Sequence, residues 1–284
     1  MTSWLHVPPK KKEDGPTKPR PYFVSLMQDE FCSHFNTLFY SRLYSETNQR
    51  DLVIYDMSTV ISPSFSLLQE TFAPMKGVEY VSEMKPSATV LRAKDPAKII
   101  PLLNNLSQDA LRSAARSTLT WNPAMLEKVS AVIGENSLPE EFDAAVHIRS
   151  PVKFDRVRAP PVQTYVEALQ AVATKLAKKD MSVFVMVDEV AQFEEFRKLA
   201  PKTWVLHTVR PRNSIVRGGR VGTMGRNSIA IKMAAYVEFV TELYCMQHSM
   251  NIICNLSNDT GRFIYLTANA ASLRSLDTPA WAPF

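Results

Sequence analysis

Ser182-Val183-Phe184-Val185-Met186-Val187 is a nearly unbroken apolar run that ends on Asp188-Glu189. A strand with one wet face alternates polar and apolar residues. A strand apolar at almost every position must be covered on both faces, as happens in a parallel sheet flanked by helices. That requirement points to an α/β chain, and the surrounding sequence supplies the alternation. Asp143 to Arg149 reads as a strand with a polar end, Val162 to Lys179 as an amphipathic helix, and Val190 to Leu199 as another helix. A short strand at Thr203 to His207, a long helix from Ser228 to Ser249, a strand at Asn251 to Asn255 and a helix at Thr260 to Ala268 complete the series.

The first half repeats the theme. Tyr22 to Leu26 reads as a buried strand, and Asp29 or Ser33 is placed to cap a helix carrying Phe31, Phe35, Leu38, Phe39, Leu43 and Tyr44. Arg50 to Asp56 follows as a second strand, a unit of βαβ size. Val78 to Val81 is a further candidate strand. From Asp95 to Leu138 the pattern is helical, with Pro96 and Pro123 at first-turn positions. The break near Pro139 divides the chain into two doubly wound units, 22–140 and 141–284, behind a tail at 1–21.

With 284 residues and 45% hydrophobic content, the chain can bury a real core. The tail cannot: it is rich in proline and carries Lys10-Lys11-Lys12, so it reads as a solvated arm. The net charge of +5 is uneven and favours phosphate-bearing ligands, nucleic acid or an acidic membrane. Cys32, Cys245 and Cys254 are odd in number and have no CxxC spacing, which argues against a disulfide framework or zinc site and for a reducing compartment. No signal-peptide core and no apolar span of bilayer length is present, so the expectation is a cytoplasmic location.

In open α/β sheets, ligands bind beyond the carboxyl ends of the strands. His147 and Arg149, Asp188 and Glu189, and Ser257, Asn258 and Asp259 follow three strands of the second half. A guanidinium can fork onto phosphate oxygens, a carboxylate can hold ribose hydroxyls or a guanine edge, and Ser257 can add a hydroxyl beside free backbone N–H groups. The same residues have plainer readings: His147 as a satisfied strand-end histidine, and Asp188, Glu189 or Ser257 as helix caps.

Val146-His147-Ile148-Arg149 resembles the H-x-R motif of the superfamily that includes core, nodulation and protein O-fucosyltransferases. The likeness continues in order through Val183 to Glu189 and through Cys254 to Tyr265, with Glu242 where that family has an acid. Fainter matches lie at Phe35 to Leu38 and Asn48 to Ile54. The resemblance implies a GT-B-like fold: two Rossmann-like doubly wound domains facing a central cleft, the second holding the donor. It implies an inverting, metal-independent transfer from GDP-fucose, with a GDP-sugar as the donor substrate, no cofactor, and a glycan hydroxyl as acceptor. Arg149 would stabilise the leaving diphosphate, and His147 would support it. Asp29 and Glu30, after the first strand, are candidates for the base. The family's glycine-rich turn at that place is here Gln28 to Ser33, without glycine.

Thr208 to Arg226 holds Arg210, Arg212, Arg217, Arg220 and Arg226 with four glycines, and reads as a flap over the donor diphosphate. A catalytically inactive nucleotide-sugar-binding protein is the alternative on the same fold. A nucleic-acid-binding module working through the tail and arginine loop is the third reading. Arg262 reads as a structural ion-pair partner, and Glu242 as an exposed helix acid before a donor contact.

Overall fold

The structure is a computed structural model that describes residues 21–26, 31–56, 66–81, 89–90, 96–150, 160–209, 228–278 and 281. The first half contributes β1 (Tyr22–Leu26), α1 (Phe31–Thr47), β2 (Leu52–Asp56), α2 (Leu67–Thr71), β3 (Val78–Val81) and β4 (Thr89–Val90). Three helices follow: α3 (Pro96–Asn104), α4 (Gln108–Thr118) and α5 (Pro123–Glu135). The long helical pattern is therefore cut into three. Ser107 and Asn122 make two of the cuts by accepting hydrogen bonds from the Ala110 and Ala124 amides. Pro96 and Pro123 each open a helix, where a missing N–H costs nothing. Ser33 is not a cap; it lies buried inside α1.

The second half contributes β5 (Ala144–Ile148), α6 (Val162–Leu176), β6 (Ser182–Val187), α7 (Val190–Leu199) and β7 (Val205–His207). It ends with α8 (Ile229–Gln247), β8 (Asn251–Cys254), α9 (Asp259–Thr267) and β9 (Ser272–Ser275). Helix α6 stops short of Lys179 because Ala177 turns into the left-handed region at φ 51° and its amide bonds back to Thr174.

Among the described residues every strand pairing is parallel. One sheet runs β3-β2-β1-β4, all from residues before Pro139; the other runs β7-β6-β5-β8-β9, all from residues after it. This is the mixed α/β, doubly wound class that the apolar run of β6 required. Helices α2 and strands β4 and β9 carry too little pattern to be seen in the sequence.

The apolar core crosses from one half to the other. One cluster joins Val24, Phe35, Leu111 and Met125 of the first half to Tyr236, Cys254 and Phe263 of the second. Phe35 packs edge-on to Phe72 at 5.0 Å and against Phe263 at 5.3 Å. A second cluster covers the opposite face of the second sheet, where Val146, Ile148, Val183 and Val185 meet α6 and α7. Strand β6 thus has both faces dry, with Phe184 and Met186 in one cluster and Val183 and Val185 in the other. Among the described residues no helix is long and apolar enough to cross a membrane.

Candidate functional site

The strand order of the second sheet reverses between β5 and β8, and a crevice forms at the carboxyl side of such a reversal. His147 is the fourth residue of β5 and pairs with Met186 of β6. Alternation gives His147 the parity of Ala145, which lies in the cluster shared with the first half. The residue is 2% exposed, so it sits beneath the rim. Arg149, one residue past the strand, is partly exposed and continues that parity.

The backbone of Arg149 is held from two sides. Its carbonyl accepts from Gln192 Nε2 at 2.9 Å, and its amide donates to the Tyr165 hydroxyl. Burial pushes the Tyr165 phenol well above its ordinary value, so it stays protonated and donates to Asn255 Oδ1 at 2.6 Å. One phenol therefore ties the ends of β5 and β8 to α6. Neither Tyr165 nor Asn255 stood out in the sequence, because a tyrosine on an apolar helix face reads as core.

Asp188 and Glu189 meet the turn after β5. Asp188 Oδ2 accepts from the Ser150 amide at 2.9 Å, and Glu189 accepts from Ser150 Oγ. The Glu189 amide donates to Gln192 Oε1 at 3.1 Å, which makes it the start of α7. Asp188 is partly exposed at the rim, and Glu189 is exposed. These turns follow neighbouring strands, about 5 Å apart in the sheet.

The turn after β8 departs most from expectation. Ser257 lies at the rim and is partly exposed, but its own amide and that of Leu256 are engaged. The Leu256 and Ser257 amides donate to Asp277 at 2.9 and 3.3 Å, and Ser257 Oγ donates to the same carboxylate. Asp277 follows β9, a strand not legible in the sequence, which is why it was missed. Asn258 caps α9. Its Oδ1 accepts from the Gly261 amide at 2.8 Å, its Nδ2 donates to the Asn255 carbonyl at 2.7 Å, and it is 4% exposed. Gly261 is required here, since an added Cβ would lie 1.9 Å from that carbonyl oxygen.

Glu242 is not an exposed acid; it is buried on α8. It lies five residues, about 7.5 Å of helix, before the end of α8, which leads into the amino end of β8. Arg262 pairs with Asp259 at 3.4 Å within α9, and Asp259 reaches α1 through Asn36 Nδ2, which donates to its carbonyl at 2.9 Å. Asp29, Glu30, Arg217 and Arg226 lie outside the described residues, as does 210–227 of the arginine-rich loop.

A groove of about 810 Å³ runs along α7 and the edge strand β7, lined by Val190, Phe193, Arg197, Trp204, Leu206 and Thr208 among others. None of His147, Arg149, Asp188 or Ser257 lines it. Among the described residues no group of three His, Cys, Asp or Glu side chains is placed to hold a metal ion.

No family model matches the sequence, and no curated protein does. Solved structures do. NodZ α-1,6-fucosyltransferase soaked with GDP-fucose matches with TM-score 0.56 and 13% identity over 88% of this chain and 93% of that one. Fucosyltransferase NodZ from Bradyrhizobium matches with TM-score 0.52 and 13% identity over 87% and 92%. A mutant of Arabidopsis thaliana FUT1 in complex with GDP matches with TM-score 0.56 and 9% identity over 93% and 72%. Over most of both chains, the protein shares the parallel α/β fold of these fucosyltransferase structures.

Proposed function

We propose that the protein is a glycosyltransferase that moves a sugar, fucose first among candidates, from a GDP-sugar to a glycan hydroxyl, with inversion and without a metal. The observation that carries this reading is Arg149 at the switch point, on a backbone pinned by Tyr165 and Gln192. A guanidinium carried on that backbone can meet the charge that grows on the β-phosphate as the glycosidic bond breaks. The sugar then passes through an oxocarbenium-like state, and the acceptor hydroxyl attacks its open face. His147 supports Arg149 from beneath the rim, and Asp188 takes hydroxyl or amine donors of the nucleoside. Asp29 and Glu30 remain the candidates for the base. The likeness of fold to structures that hold GDP or GDP-fucose supports the choice of donor.

The test is a thermal-shift series with GDP, UDP and ADP, with and without Mg²⁺ or Mn²⁺, followed by GDP-fucose turnover on glycan acceptors. GDP alone is expected to raise Tm, and Arg149→Ala to abolish the rise. No response to any nucleotide sinks the reading. Nucleotide-sugar binding without transfer is the second reading. In its favour, Asp277 occupies the amides of Leu256 and Ser257 and leaves fewer donors for a leaving diphosphate. It predicts GDP binding with neither hydrolysis nor transfer.

A further inference from the structure

Strand β7 is an edge of the second sheet, with β6 on one side and no strand on the other among the described residues. The Val205 amide donates inward to the Met181 carbonyl at 2.8 Å. Successive residues of a strand turn their backbone groups to opposite sides. The Leu206 amide and carbonyl therefore point outward, and among the described residues neither has a partner. Two other edge strands are guarded: β3 carries Glu79 and β9 carries Arg274, both exposed, and a charge on an edge opposes further pairing. Strand β7 is Val205-Leu206-His207. Val205 is 58% exposed, and burial holds the His207 imidazole below its ordinary value, so the strand carries no charge at neutral pH.

The groove of about 810 Å³ follows this open edge and has a wall on each face of the sheet. On the face of Leu206, α7 presents Val190, Phe193, Glu194 and Arg197, the spacing of one helical stripe. On the face of Val205 and His207 the wall is Leu138. A strand added beside β7 sends alternate side chains to each wall. The edge of a second copy would have to bring another α7 between these walls, whereas a lone extended chain brings none. Charge then selects the occupant. Lys202 lines the groove just before β7, exposed and without a carboxylate partner among the described residues. Arg197 and Lys198 stand in the last turn of α7, with Arg197 paired to Glu194 at 2.5 Å. Because β6 and β7 are parallel, α7 runs back between them, so its exposed Glu189 start lies toward the carboxyl end of β7. The groove is thus basic at one end and acidic at the other.

We propose that this edge is a docking site for an extended segment of a partner protein, which adds as a strand beside β7, turns alternate apolar side chains onto Phe193 and Leu138, and sets an acidic residue against Lys202. Main-chain pairing with Leu206 supplies affinity, and the two walls and the cation choose the sequence. The site is separate from sugar transfer, since none of His147, Arg149, Asp188 or Ser257 lines the groove. It holds whether or not the chain turns over a nucleotide sugar.

The test is a display selection of short random peptides on the full-length protein, with the enriched peptides synthesised and titrated by fluorescence anisotropy. They are expected to carry apolar residues at alternate positions and Asp or Glu at one end. Methylating the peptide amide that faces Leu206 should weaken binding by about fivefold, the worth of one neutral hydrogen bond, while methylating the next amide, which faces away, should leave it unchanged. This arm uses the wild type and needs no variant to fold. Lys202→Glu, at an exposed position, should weaken the acidic peptides by up to about fivefold and favour versions in which Lys replaces the acid. Val205→Lys puts a charge on the open edge and should abolish binding. No enriched peptide, binding that survives Val205→Lys, or indifference to which amide is methylated overturns the proposal. Sedimentation of the wild type alone decides the rival occupant: a dimer that Val205→Lys converts to monomer would give the groove to a second copy and overturn the proposal as well.

Discussion

Helices α1 and α6 hold equivalent places. Each follows the strand at which its sheet reverses order, β1 in β3-β2-β1-β4 and β5 in β7-β6-β5-β8-β9. Their surroundings differ. Helix α6 buries Val162, Tyr165, Val166 and Leu169 on one face and exposes Gln163, Glu167 and Gln170 on the other. Helix α1 is buried almost all round, including Ser33, His34, Asn36, Thr37, Ser41 and Ser45. It packs on its own sheet, on α3 and α4, and on α9 of the other half. Equal topology does not give equal exposure: α6 lies on an outer layer, while α1 is where the halves meet. The helix that joins them carries polar groups on its buried sides, and some are matched across the contact, as Asn36 is to Asp259.

The largest effect is expected where that contact is apolar. Phe35 is fully buried between Phe72 and Phe263, one from each half. Phe35→Ala should lower unfolding stability by about 3–5 kcal/mol. Urea unfolding followed by both fluorescence and circular dichroism should still show one transition, because the cluster is shared. Two separated transitions would break the comparison by showing that each half stands alone.

A contrast between two glycines comes next. Gly261 sits against the Asn255 carbonyl, whereas nothing lies within 4 Å of a Cβ added at Gly134 in α5. Gly261→Ala should cost about 1–3 kcal/mol through forced displacement, and Gly134→Ala should gain up to about 1 kcal/mol of helix propensity. Thermal denaturation of the pair checks both signs. A tolerated alanine at Gly261 would mean that α9 is less tightly docked on the switch-point turn than its geometry states.

How much of this was written in the sequence depends on how local each cause is. Strand β6 was legible because apolarity at nearly every position has one structural meaning. The start of α5 was legible because Asn122-Pro123 acts within one turn. Arg149 and Asp188 were legible as rim residues because each directly follows an apolar strand. Asp277 was not, since its importance comes from the distance in space to Ser257, 20 residues earlier, across a strand without periodic pattern. Glu242 was misjudged as exposed because α8 is apolar on most sides and its acid gives no sign of which neighbours close over it.

Asn36 sharpens the comparison at smaller scale. Its Nδ2 serves Asp259, while its Oδ1 is buried without a hydrogen-bond partner. Asn36→Leu removes one good bond and one unsatisfied acceptor of similar volume. The net change should stay within about 1 kcal/mol, well below that of Phe35→Ala. A loss as large as the phenylalanine's would move the weight of the contact from rings to polar groups.

The smallest effect belongs to the second sheet's outer side, and its sign can be worked out from pH. Burial would raise the Asp143 carboxyl, but Lys178 Nζ at 2.5 Å and the Ser182 amide at 3.0 Å hold it below its ordinary value. A group with a lowered folded pKa stabilises fully above the unfolded value and loses that contribution as pH falls through the folded one. Asp277 shifts in the same direction. Thermal stability of the wild type should therefore decline as pH drops below about 4, the ordinary carboxylate value. Lys178 is half exposed, so Lys178→Ala should cost no more than about 1 kcal/mol at neutral pH and less in high salt. The acid limb should remain in that variant, because the amide bonds to Asp143 and Asp277 persist without the lysine. If the limb vanished with Lys178, one exposed ion pair would be setting the acid response that the buried amide bonds are here assigned.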